Sequence, residues 1–287
     1  MTFLQSRGAW LASVLTAIPT GNPYNYVSHI SYRFFFDILY QLTKLTDSSR
    51  SHLFDIITQY RAIFSDDNSS DDSLEYGSIL FGWMNEIIGS YLTALEKDLP
   101  QINEGLSLQY LLDQCMYYGV SMGRVGVDFR GLLLPLFERC IFNLFTSGLS
   151  GSTLHFTETM RHYRFTNNIN RTSNVTALGN SLHFKAFFSL YFLDTRDQIL
   201  PPTELLDHPP VAVLANGYLT TLNELRHCAP LSLQSRLAEH LAESLYGVAT
   251  MLQNYAKEGN KKLNFEEHKL FSHMCQVFIE KNNPSLI

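Results

Sequence analysis

The feature that most constrains this 287-residue chain is a doubled apolar step of about four residues. Ile79/Leu80, Trp83/Met84, Ile87/Ile88, Tyr91/Leu92 and Leu95 follow one another up to Leu99-Pro100. That spacing winds apolar side chains onto one broad stripe of an α-helix, whereas a strand would repeat its pattern every second residue. A stripe of this width meets more than one neighbour, as inside a bundle. The same period recurs along nearly the whole chain, and period-two alternation is almost absent. The expected fold class is all-α, an elongated helical bundle or rod.

Residues 3–18 read as a helix with Leu4, Trp10, Leu11, Val14, Leu15 and Ile18 on its apolar side, stopped by Pro19. After a turn-rich join from Pro19 to Asn25, a helix over 48–64 carries Leu53, Ile56, Ile57, Tyr60 and Phe64, with Ser48 as its cap. An acidic polar loop, Ser65 to Asp72, leads into helix 74–98. Ser107 caps a helix through Leu108, Leu111, Leu112, Cys115 and Met116 that Gly119 interrupts. A second long helix resumes near Arg124 and ends before Gly148, with Pro135 a candidate kink. Pro209 and Pro210 open a helix, since proline is tolerated in a first turn. Ser232 caps the next one, and Asn264 with Glu267 three positions on predicts a capping box for the last. The Asn- and Thr-rich stretch over 167–180 reads as an exposed loop, and Pro201-Pro202 as a second break. The expected organisation is a helical bundle over 1–165 and a second over 166–287, divided in the polar loop 166–182, or else one continuous helical rod.

Charge and cysteine usage narrow the function. The formal net charge is −6 and the 21 Lys and Arg residues form no run, so no surface follows a phosphate backbone and nucleic acid is not an expected partner. Cys115, Cys140, Cys228 and Cys275 lie far apart, and Cys115, Cys140 and Cys275 sit among apolar residues at helical spacing. They read as free buried thiols rather than disulfides or zinc ligands. No apolar run approaches the roughly 18–20 residues of a spanning helix, so any membrane contact is peripheral. Arg7 ahead of the apolar stretch Ala9 to Ile18, with sequons at Asn68, Asn170 and Asn174, raises a secretory reading, but Pro19-Thr20-Gly21-Asn22 follows where a cleavage site should stand.

The sharpest catalytic pattern is Gly119-Val120-Ser121-Met122-Gly123, a literal G-x-S-x-G. In an α/β-hydrolase it presents a nucleophilic serine on a strand-to-helix turn. Here a helical stripe precedes it, so a serine hydrolase using Ser121, with Asp207 and His208 as downstream partners, is set aside in favour of a turn between helices. His268 and His273 are five apart and off one helical face, and no H-E-x-x-H occurs. Asp66, Asp67, Asp71, Asp72 and Glu75 lack the turn glycine of a calcium loop. No phosphate-cradling or dinucleotide glycine pattern is present. No catalytic, cofactor-binding or metal-binding residue is expected, and the chain reads as a binding or scaffolding protein. One segment stands apart: Gly119, Gly123, Gly126 and Gly131 surround Arg124, Asp128 and Arg130. Glycine costs a helix about 1 kcal/mol, so their clustering implies close backbone approach or a fixed turn. Arg124 and Asp128, spaced i, i+4, can pair.

At these residues the sequence resembles the subunit-eight family of the conserved oligomeric Golgi complex, a vesicle-tethering assembly of helical rods. The match runs through Leu112-Asp113-Gln114-Cys115-Met116-Tyr117-Tyr118-Gly119, Ser121, Arg124-Val125-Gly126 and Asp128-Phe129-Arg130-Gly131, and again from His52 to Phe64. Phe3-Leu4-Gln5, Ala9-Trp10-Leu11 and Leu15 to Pro19 form a third block, and Asp207, Pro209-Pro210, Leu222-Asn223 and Leu225-Arg226 a looser one. In the family the third block is internal to the subunit, which removes the signal-peptide reading. The resemblance implies a non-enzymatic protein, peripheral on the cytosolic face of the Golgi membrane. It implies assembly with sister subunits and engagement of SNAREs and Rab GTPases during retrograde transport within the Golgi. A helical scaffold of another trafficking complex is the alternative. Three departures stand out: the family's amino-terminal half has no counterpart here, Ser31 to Leu45 lies where the family has a shorter join, and Gly123 stands where Ser is frequent.

Overall fold

The computed structural model describes residues 2–18, 30–64, 70–165, 205, 207–259 and 263–281, with backbone alone for 30–36, 70–75, 259 and 280–281. Every regular element among the described residues is helical. In chain order these are α1 (Thr2–Thr16), α2 (Ile30–Phe64), α3 (Ser70–Asp98), α4 (Gly105–Gly123), α5 (Arg130–His162), α6 (Pro209–Cys228), α7 (Gln234–Gly259) and α8 (Phe265–Lys281), with 3-10 turns at Leu99–Gln101 and Leu231–Leu233. The all-α expectation is met. Two compact units emerge, one of Met1–Thr146 with Leu222–Leu237, the other of Ser147–Thr221 with Ala238–Ile287. The loop 166–182 expected to divide the chain lies outside the described residues, as do Pro201-Pro202 and Ser65 to Ser69 of the acidic loop.

In the first unit α2 lies against α1, α3 and α4. The doubled stripe of α3 resolves into two rows. Leu80, Met84, Ile88, Tyr91 and Leu95 are fully buried, while Ile79, Trp83, Ile87 and Leu92 are half-buried beside them. Each fully buried aliphatic side chain contributes about 1.5–3 kcal/mol. The helix expected over 48–64 begins eighteen residues earlier, at Ile30. Ser48 is therefore interior to α2 and caps nothing. The physical reason is that Ile38, Leu42, Thr46 and Ser49 extend the buried face of Leu53, Ile57 and Tyr60. The stretch 31–45 that departs from the family is thus part of a packed helix rather than a join.

Two other expected caps resolve differently. Glu104 occupies the cap position of α4, and Ser107 donates its hydroxyl to the Glu104 carboxylate at 2.6 Å. Ser232 lies in the 3-10 turn and donates to Glu138 of α5, so α7 starts beyond it at Gln234. The capping box at α8 forms as predicted: Glu267 N–H donates to Asn264 Oδ1 at 2.9 Å, and Asn264 N–H to Glu267 Oε2 at 2.8 Å.

In the second unit α5 and α6 approach closely through small residues. A Cβ on Gly148 would collide with the Thr221 side chain, and one on Gly217 with Ser152. Thr153, Tyr218 and Ser244 share hydroxyl hydrogen bonds across α5, α6 and α7. Phe165, Tyr255 and Phe271 cluster with ring centroids 5.4–6.3 Å apart. The long helix expected to end before Gly148 continues to His162, because Leu149, Phe156 and Met160 keep its buried face going. By length and composition alone, α5 is long and apolar enough to cross a membrane, contrary to the expectation that no segment would be. Of its apolar residues, Leu133, Phe137, Ile141, Phe145, Leu149 and Phe156 are buried within the protein, whereas Leu132, Leu134 and Leu154 are exposed.

Candidate interaction surface

The glycine-rich segment Gly119 to Gly131 is a corner between two helices, each end of which has its backbone satisfied. The helix does not break at Gly119; α4 runs on to Gly123. It ends because Val127 N–H reaches back to Met122 O at 3.0 Å and Gly126 N–H to Gly123 O at 3.1 Å. This is the Schellman pattern, which needs a left-handed residue at Gly126, and its φ is 93°. Met122 and Val127, at the two positions where that motif places apolar residues, are both buried. The neighbouring carbonyl of Val125 accepts from Arg61 Nη2 of α2 at 2.8 Å, placing a cation at the negative end of α4. Arg61, Tyr60 and Phe64 meet Tyr76, Phe81 and Val125 around a shallow cleft of about 250 Å³.

The start of α5 is held by Asp128. Its Oδ1 accepts the Arg130 backbone N–H at 3.1 Å, and its two oxygens accept Arg130 Nε and Nη2 at 2.6–3.1 Å. The expected Arg124–Asp128 pair does not form. Residues 124–129 leave the helix, so no i, i+4 register exists there, and Asp128 turns to Arg130 instead. These bonds from the guanidinium, joined by the backbone N–H, hold the Asp128 carboxyl down to about 2. Sequence reading missed this pair because it lies at i, i+2 outside a helix. Of the four glycines, Gly126 supplies the turn and Gly119 the close approach, where Arg130 lies across α4.

Phe129 anchors the corner. Its ring meets Tyr118 at 4.9 Å and Tyr91 at 6.0 Å, edge to face, while Tyr91 and Tyr118 lie 5.1 Å apart. The Tyr91 hydroxyl bonds Thr46 Oγ1 at 2.9 Å and Cys115 Sγ at 3.1 Å, tying α3 to α2 and α4. Burial pushes the Cys115 thiol up to about 11, and pushes Tyr91 and Tyr118 upward as well.

Ser121 is part of α4, and its hydroxyl donates to the Tyr117 carbonyl at 3.0 Å, an ordinary back-bond of a helical serine. It is not on a strand-to-helix turn. His208 and Asp207 precede α6 in the second unit. His208 Nε2 lies 2.7 Å from His273 Nδ1 of α8, a pairing that sequence spacing gave no sign of. His268, on the same helix, takes no part in it. No group of three metal-ligating side chains assembles among the described residues.

Among the described residues the architecture is that of an α-helical bundle protein, with Arg61, Tyr91 and Asp128 engaged at helix ends and between helices. Residues 1–153 match the Dor1-like family, and the chain belongs to it. It is 35% identical over 292 residues to conserved oligomeric Golgi complex subunit 8 of Homo sapiens, covering 99% of this chain and 43% of that protein. It is 34% identical over 290 residues to the Bos taurus subunit, at 99% and 42% coverage, and 37% identical over 255 residues to that of Dictyostelium discoideum, at 88% and 30%. The chain thus spans less than half the length of these relatives. No solved structure matches it.

Proposed function

We propose that this chain serves as a non-enzymatic subunit of the conserved oligomeric Golgi complex, acting in retrograde vesicle tethering within the Golgi and so in upkeep of the glycosylation machinery. The observation that carries the reading is its 35% identity over 99% of its length to a relative named as subunit eight of that complex. The Ser121 hydroxyl, back-bonded to the Tyr117 carbonyl within α4 rather than presented on a strand-to-helix turn, supports a role without catalysis. Sister subunits are the primary partners. SNAREs and Rab GTPases, and a peripheral position on the cytosolic face of the Golgi membrane, belong to the same reading and rest on the resemblance of Leu112 to Gly119 and His52 to Phe64. The test is affinity purification of the endogenous protein with identification of its companions, alongside imaging. Recovery of the other Golgi-complex subunits is the expected result, and a companion set without them would sink the reading.

A further inference from the structure

Helix α4 carries two seams. Leu108, Leu111, Cys115, Tyr118 and Met122 recur at steps of three and four and are buried in the first unit. Leu106, Tyr110, Asp113, Tyr117 and Val120 recur at steps of four and three on another face, the spacing by which one helix packs along another. This second seam is open: Leu106 is 56% exposed, Tyr110 49%, Tyr117 57% and Val120 38%. The Arg50 guanidinium of α2 lies 4.9 Å over the Tyr117 ring and borders the seam on one side. At the seam's midpoint stands Asp113, exposed and with no ion pair or hydrogen bond among the described residues.

We propose that this second seam of α4 is the docking surface for an apolar helix of a different subunit, one that presents Lys or Arg opposite Asp113. The inference rests on the subunit reading above and assigns it a surface. Charge decides the occupant. Asp113 is the middle of five seam positions, so a second copy of the chain, paired along the seam either antiparallel or in parallel register, would set Asp113 against Asp113. Like charges brought together in an interface cost several kcal/mol. A carboxylate desolvated by a partner helix needs an opposite charge, and a single polar residue in such a seam fixes register. A lipid surface fits poorly, because the seam holds an acidic side chain at its midpoint and a single bordering cation, Arg50, which already lies 3.8 Å from Asp47, where an anionic membrane calls for a cluster of Lys and Arg.

The test places a benzoylphenylalanine photo-crosslinker at Tyr110 or Tyr117 in the tagged full chain, in cells that assemble the Golgi complex, with adducts mapped by mass spectrometry. The expected adduct is a helical segment of a sister subunit containing a basic residue. Asp113→Lys should lower its yield about tenfold or more at unchanged melting temperature, Asp113→Asn should lower it less, and an acidic substitution of the partner's basic residue should restore the Asp113→Lys yield. Leu106→Glu provides an independent disruption of the same seam. Adducts to a second copy of the chain or to lipid, no adduct at either position in a complex that still co-purifies, or a yield indifferent to Asp113→Lys would each overturn the proposal. If the chain does not co-purify with sister subunits at all, the subunit reading fails and this proposal falls with it.

Discussion

A Cβ on Gly119 would lie closer than 3.0 Å to Cγ of Arg130. The obstacle is the second carbon of the arginine side chain rather than its flexible end, so Arg130 can give way only by leaving the rotamer in which it binds Asp128. Gly119→Ala should destabilise the protein by about 1–3 kcal/mol. In an Arg130→Ala background the nearest remaining atom of residue 130, its Cβ, is at 3.6 Å, an ordinary contact. The cost of Gly119→Ala should then largely vanish. Chemical denaturation of the two singles and the double measures it, and strict additivity would refute the assignment.

Gly126 and Gly131 should respond in opposite senses. At φ 93° a β-branched side chain is strained whatever the free space, so Gly126→Val should cost about 1–3 kcal/mol. Gly131 is in the first turn of α5 with nothing within 4 Å of a Cβ, and Gly131→Ala should stabilise by about 0.4–1 kcal/mol. Thermal melts of both variants decide the matter; equal effects at the two sites would contradict the backbone account.

Acid should act through Asp128. Its folded value of about 2 lies below the ordinary 3.8, because Arg130 binds the charged form. The stabilisation is therefore complete above pH 4 and is lost as pH falls through about 2. Both partners are exposed, so added salt should shrink the effect. The native melting temperature should fall more steeply between pH 4 and pH 2 than that of Asp128→Asn. Parallel pH profiles for the two proteins would exclude the pair as the cause.

The helical class was legible because apolar period survives any detail of packing: the rows of α3 and the capping box at Asn264 and Glu267 stood where spacing put them. Helix ends were less legible, since they depend on partners remote in sequence. Ser48 and Ser232 have the chemistry of caps, yet α2 gains more from continuing to bury Ile38 and Leu42, and Ser232 turns to Glu138, 94 residues away in sequence. Gly126 was visible as a glycine, but nothing local distinguished it from Gly119 as the residue that stops α4. The open seam was also hidden, because period alone reports two apolar faces on α4 without saying which is covered.

The buried bond between Tyr91 and Cys115 yields the last prediction. Tyr91→Phe removes one hydroxyl and leaves Thr46 bonded to the Leu42 carbonyl, so the expected cost is about 1 kcal/mol. Cys115 behaves differently from a reactive thiol. With its ionisation pushed up to about 11 by burial, it holds almost no thiolate at pH 8 and is closed to solvent. Burial pushes Cys140 and Cys228 up to about 11 as well and raises Cys275, so access rather than ionisation ranks the four. Cys140, also buried, should behave like Cys115, and the half-buried Cys228 and Cys275 should react first with a thiol reagent under native conditions. Full reactivity of Cys115 and Cys140 should appear only on unfolding. Timed alkylation at pH 8 with peptide mapping reads all four sites in one experiment. Labelling of Cys115 in the native protein as fast as Cys228 would mean that α2, α3 and α4 are not closed around it, and with that the hydroxyl–thiol link between them would fall.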